Sequence, residues 1–378
     1  MRPFPDYPDY KTARPPRTAR WLLSMGVVGG FSGGVMLLPL AEGKSALIAA
    51  GMLIALILTS SGWLVQWLYY RVSVHNATFY YQQVAYEQQQ WWIKHRQSFW
   101  LKEVVLLGPA GKSSIDWLRV LGKEQSPPEE RREDGGYALR LPQISATDAS
   151  VREKRLAELL VIEWQNQCTE KTPVSLRRCY WQGTDSAWQA FRAQMHHTFP
   201  DMALPLRPEP WRGEVSLAEI ADGFPAFKPQ DTILIAGCQA VAAQRDTNLP
   251  AGESAVLCLV GQNGSVQLTR GETFSAENGE SLLAVCTRAL EQSELEVPPE
   301  ACLLFSRSEF KTLENSSWDI HQYQMDVHWG NVGEMDALIV LALAAIYARY
   351  YQQPCGWIAC DPGSTFAIGI VKPDGQRQ

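Results

Sequence analysis

Two apolar runs near the N-terminus, Trp21–Ala41 and Ala46–Tyr70, are separated only by Glu42-Gly43-Lys44-Ser45. Each reaches the ~20 residues that a helix needs to cross a hydrocarbon core at about 1.5 Å per residue. Neither run carries a charge, and neither shows the polar stripe of a helix lying on a soluble core. The pair predicts a transmembrane helical hairpin over residues 21–70. A cleaved signal peptide fits less well, because the first run begins only at Trp21, lacks a small-x-small exit and meets a second run at once.

The flanks orient the hairpin. Arg2, Lys11, Arg14, Arg17 and Arg20 precede it, and Arg71, Lys94, Arg96 and Lys102 follow it. Positive charge stays on the cytoplasmic side, so both termini and the main domain are expected in the cytoplasm, on a bacterial inner membrane. Gly26, Gly29, Gly30, Gly33 and Gly34 fit close packing of the first helix on the second, and serve oligomerisation equally well. Residues 1–20 hold five prolines and are expected to form a disordered basic tail. Residues 71–101, rich in Gln, Tyr and Trp, predict a juxtamembrane helix, and residues 102–378 the main domain.

The eight cysteines fall mostly inside apolar stretches such as Val256-Leu257-Cys258-Leu259-Val260, the pattern of small buried hydrophobes in a reduced compartment. There is no Cys-x-x-Cys, and His196-His197 has no partner at ligand spacing, so no metal and no cofactor is expected. A net charge of −6 argues against nucleic acid as a partner.

Beyond residue 102 the pattern alternates. Glu103–Gly108, Asp231–Gly237, Ser254–Val260 and Ala301–Ser306 read as buried strands, and Gly356–Cys360 with Thr365–Val371 as a closing hairpin. Ile115–Leu121, Arg152–Gln167, Ser186–Met195, Ser216–Phe224, Gly279–Glu291 and Met335–Tyr351 read as helices, and Ser126–Gly136 as a solvated excursion. Continuous apolar strands alternating with helices define an α/β domain whose mixed sheet is covered on both faces. Gly108-Pro-Ala-Gly111-Lys112-Ser113 falls two residues short of a phosphate-binding loop, so a strand-to-helix turn capped by Ser113 or Ser114 is favoured.

In order, Val104–Gly108 with Ile115–Gly122, then Asp231–Cys238 and Gly252–Gly261, then Trp329-Gly330-Asn331-Val332-Gly333 with the helix Ala337–Tyr347 and the closing Asp361–Val371 resemble the thiolase superfamily, closest to the β-ketoacyl synthases. The resemblance spans about residues 102–373 and implies a degenerate thiolase-like fold of mixed sheets layered with helices. That family's chemistry requires a cysteine at the N-terminus of a buried helix, which lowers the thiol pKa and binds the oxyanion. The corresponding segment, Leu204–Gly213, has no cysteine, and the strand matching the first catalytic His runs into Ser306-Arg307-Ser308. Of the three catalytic positions only Asn331 survives. His328 and His321 lie close to it in sequence; as a displaced acid or base His328 would complete a polar site with Asn331 and Ser306, whereas a surface or turn histidine is the plainer reading.

These features predict a non-catalytic thiolase-fold protein held at the inner membrane, a possible homodimer that binds a partner protein. The layout resembles membrane adaptors that deliver lipase effectors to type VI secretion, and 14 tryptophans suit an interaction surface. The alternative is a membrane-tethered acyltransferase or ketoacyl-synthase-like enzyme with a relocated nucleophile. A third reading is a structural membrane subunit that assembles through its glycines.

Overall fold

The computed structural model describes residues 5, 7–36, 45–167, 175–245, 247–274, 280–306, 318–361 and 365–374. The end of the first apolar run with Glu42-Gly43-Lys44 of its expected spacer, Pro362 and Gly363 of the expected closing turn, Cys168 and Ser308 lie outside them. The chain forms two compact units, Arg2–Trp92 and Ile93–Gln378.

In the first unit, α1 (Thr18–Met36) pairs with α2 (Ser45–His95). The Trp21 Nε1–H donates to Gln66 Oε1 at 2.8 Å, and a Cβ on Gly62 would approach the Trp21 ring to 3.1 Å. The expected packing of the α1 glycines on α2 is corrected: a Cβ at Gly26, Gly29, Gly30 or Gly34 would meet nothing within 4 Å. Close approach falls to Gly62 of α2 instead. Among the described residues one helix, Ala49–His95, is long and apolar enough to cross a membrane. α2 runs 51 residues, some 25 beyond the end of the apolar run at Tyr70, as one uninterrupted rod. The proline-rich segment before α1 lies along this rod: the Ala13 N–H donates to Ser73 Oγ (2.9 Å), the Tyr80 hydroxyl donates to the Pro8 carbonyl (2.8 Å), and Tyr10 packs on Tyr80.

The second unit is built on a ten-stranded mixed sheet. In chain order it comprises β1 (Ser98–Leu107), α3 (Ser114–Leu121), β2 (Arg131–Glu133), β3 (Gly136–Ala138), α4 (Ala149–Gln167), β4 (Ser175–Gln182), α5 (Asp185–Thr198), β5 (Glu209–Pro210), α6 (Glu214–Gly223), β6 (Asp231–Ala240), β7 (Glu253–Gly261), β8 (Val266–Thr269), β9 (Glu272–Phe274), α7 (Leu282–Gln292), β10 (Ala301–Leu304), α8 (Asp326–Trp329), α9 (Asp336–Tyr351), β11 (Cys355–Asp361) and β12 (Thr365–Pro373). The sheet order is β10-β11-β12-β8-β1-β7-β6-β4-β5, with β9 on β12. β4 and β6 are parallel, as are β10 and β11, while β1 runs antiparallel to both β7 and β8.

Alternation along the strands sends side chains to two cores. Val256, Cys258 and Val260 of β7 join α3, α6 and α9 on one face, whereas Ala255, Leu257 and Leu259 meet α4 and α5 on the other. A register shift between Leu101 and Glu103 lets Leu101 and Leu106 of β1 share the first face. α7 covers β11 and β12 around Cys302, Ile358 and Ile368. α9 packs on β1 and β7 and also on β10, β11 and β12, so the sheet curls around it. Every residue from Asp336 to Ala348 is buried, which accounts for a helix apolar on all sides.

Two expectations change. Ser126–Gly136 is not wholly excursion, since β2 and β3 pair as a hairpin with Glu133 opposite Gly136. The strands β4, β5, β8 and β9 were not expected; β4 carries two arginines and β9 has only three residues, so neither shows the apolar run of a central strand.

Candidate functional site

Asn331 sits in the turn between α8 and α9. Gly330 has φ 67°, and a Cβ there would lie 2.3 Å from the Pro250 carbonyl oxygen, so only glycine fits. The Asn331 N–H donates to that same oxygen (2.8 Å) and its carbonyl accepts from the Gly252 N–H (2.7 Å), which pins the turn to the start of β7. The side-chain Oδ1 accepts from the Gly333 N–H at 3.0 Å. Gly330 and Gly333 on either side have positive φ, and Asn331 closes the turn with its amide.

Asn331 and Ser306 do come together. Both line a cavity of about 260 Å³, with Asp326, Asp336 and the loop residues Thr247 and Asn248. Ser306 follows β10, and its N–H donates to Asp326 Oδ2 at 2.7 Å. Asp336 opens α9, where a carboxylate complements the helix N-terminus, and its Oδ1 accepts from the Ala337 N–H (2.8 Å). Asp326 and Asp336 are buried and were missed in the sequence, although an Asp at the first position of a wholly apolar helix is a readable signal.

His328 does not line this cavity. It is buried on α8 beside Trp329, not on a surface turn, and its Nδ1 has no hydrogen-bond partner among the described residues. Burial pushes its pKa below the ordinary 6.5. His321 is exposed, with its N–H on Asp319 Oδ1. Neither histidine is among the residues that line the cavity. The wall offers two carboxylates, two amides and two hydroxyls, so it suits a hydrogen-bond donor such as an ammonium or amide group.

The helix in the nucleophile's expected place is α6, and its first residues carry no thiol. Gly213 at the N-cap has φ 58°, Glu214 takes the first position, and the buried Ser216 hydroxyl accepts the Arg212 N–H at 2.9 Å. The described cysteines other than Cys360 are buried. Desolvation raises Cys179, Cys258 and Cys286 to about 12 and holds Cys238, Cys302 and Cys355 well above the ordinary value, the reverse of an activated nucleophile.

The glycine loop after β1 is equally structural. Gly108 and Gly111 exchange both backbone hydrogen bonds (3.0 Å each), and Ser113 caps α3 in a reciprocal box with Asp116. A Cβ on Gly108 would lie 2.5 Å from Trp329 Nε1, so an indole, not a phosphate, requires that glycine. Lys112 is spent on an ion pair with the buried Glu163.

No family model matches this chain, and no curated protein matches it. Among solved structures it is similar to the ishigamide ketosynthase/chain length factor (TM-score 0.49, 11% identity, 73% of this chain and 99% of that one). It is also similar to ketosynthase twelve of the bacillaene polyketide synthase in Bacillus amyloliquefaciens (TM-score 0.47, 11% identity, 74% of this chain and 75% of that one). A third is an HMG-CoA synthase complexed with CoA (TM-score 0.45, 10% identity, 73% of this chain and 82% of that one). At such identities the similarity concerns the fold alone.

Proposed function

We propose that this protein is a non-catalytic, thiolase-like scaffold anchored in a bacterial inner membrane, where its cytoplasmic unit binds a partner protein. The observation that carries this reading is the start of α6, where Gly213, Glu214 and Ser216, whose hydroxyl accepts the Arg212 N–H, occupy the segment in which the resemblance expects a nucleophile. The raised thiol pKa values, and a cavity wall without a histidine among its described residues, support it. The anchor is the hairpin of α1 and α2, with both termini on the side of Arg14, Arg17, Arg20 and Arg71. A secreted effector, as in the type VI adaptors whose layout the chain resembles, is the partner class to test first.

The full-length protein, purified in detergent, is incubated with acetyl- and malonyl-thioesters and weighed intact, and in parallel is used to capture proteins from its own cytoplasm. The expected result is no acyl adduct and one stoichiometric partner. An acyl adduct on any residue would overturn the proposal and restore the enzyme with a relocated nucleophile.

A further inference from the structure

α2 leaves one face unaccounted for. Leu58, Val65, Val72, Phe79 and Tyr86 recur at every seventh residue along it, each between 55% and 65% exposed. Lipid covers the first two, but not the last. At about 1.5 Å per residue Phe79 and Tyr86 lie about 14 and 24 Å past Tyr70. The headgroup band adds only roughly 5–8 Å on each side of the hydrocarbon. Phe79 and Tyr86 thus stand in water, each more exposed than Tyr81 or Val74 on the neighbouring faces.

α1 and the proline-rich segment occupy the faces of Gln66, Ser73 and Tyr80, about a third of a turn or more away at 100° per residue. A strict seven-residue period matches a helix of the same period wound in a left-handed supercoil. The stretch from Val72 to Tyr86 holds no Lys, Arg, Asp or Glu, so two identical helices side by side bring no like formal charges together along it. The stripe also runs without a break from the apolar segment into water, so an occupant has to follow α2 along the same axis. A second copy, inserted with the same orientation, does so in register.

We propose that this face pairs with α2 of a second copy as a parallel coiled coil outside the membrane, with Val72, Phe79 and Tyr86 on the seam. The inference rests on reading α2 as the membrane anchor, and the test separates the two. Cysteines are introduced singly into the full-length chain in native membranes as Val72→Cys, Phe79→Cys, Tyr86→Cys, Tyr81→Cys and Gln88→Cys, and oxidised with copper phenanthroline. The expected pattern is a dimer-sized product at 72, 79 and 86, at least about five-fold stronger than at 81 and 88. Adding Phe79→Glu to Val72→Cys should reduce that product about ten-fold while the melting temperature stays unchanged. A uniform ladder, no product above the parent chain, or a monomer mass in lipid nanodiscs would overturn the pairing. Carbonate washing of the same membranes tests the anchor alone: release of the chain would refute the anchor, and the seven-residue pattern would still decide the pairing.

Discussion

Glu253 at the head of β7 has no solvent exposure, and Arg152 of α4 grips both its carboxylate oxygens at 2.6 Å while the Leu141 N–H donates to one of them. Arg140, itself buried, ties Glu133 of the hairpin to the same corner. Breaking one partner of such a pair strands the other charge, so Glu253→Gln is expected to destabilise the protein by about 3–5 kcal/mol, whereas replacing Arg152 and Glu253 together by methionine costs far less. Urea unfolding of the three proteins measures the difference, and equal losses would refute the pairing argument. His328 adds a pH dependence of known sign. Burial depresses its folded pKa below 6.5, so the unfolded chain binds its proton first as pH falls. Its contribution is complete above pH 6.5 and is lost as the pH drops from there through the folded value. Wild type should therefore lose more stability than His328→Gln between pH 7.5 and 5.5; parallel losses would show that the ring is solvated.

At the scale of elements, legibility followed burial. The apolar runs inside α9, β6 and β7 were readable in the sequence because the sheet curls around α9 and helices cover both faces of β6 and β7. β4 escaped notice because Arg177 and Arg178 pair with Asp231 and Glu209, so a strand inside the sheet carries charge that reads as surface. The cavity was half legible. Asn331 and Ser306 were reached through the order of the elements, but Asp326, Asp336 and the 247–249 loop meet them only through the fold. Gly108 shows how a motif can mislead at this scale. Its glycine, Lys and Ser are all present, yet they serve the stacked Trp117–Trp329 pair (5.1 Å between centroids), an ion pair and a cap. Gly108→Ala drives a methyl group into Trp329 and should cost about 1–3 kcal/mol. It should also change the near-ultraviolet circular dichroism of that stack; an unaltered spectrum and melt would show that the contact yields freely.

For the whole molecule, the division into two units makes a claim about where membrane attachment ends. The folded core of the second unit reaches back into the last turn of α2: Gln292, buried on α7, donates to the His95 carbonyl, and Arg270 donates to the Lys94 carbonyl and pairs with Asp222. The apolar run ends some 25 residues before the end of α2, at Tyr70. A chain beginning at Ile93 is therefore expected to fold and to stay in the supernatant under conditions where the full-length chain sediments with membranes. A chain beginning at Ser98 keeps the whole sheet but removes both acceptors, and should be less stable by about 1–3 kcal/mol for each donor left unpaired. Sedimentation with thermal melts of the two shortened chains decides the matter. If the chain from Ile93 aggregates or binds vesicles, the boundary at Trp92 is not one of folding.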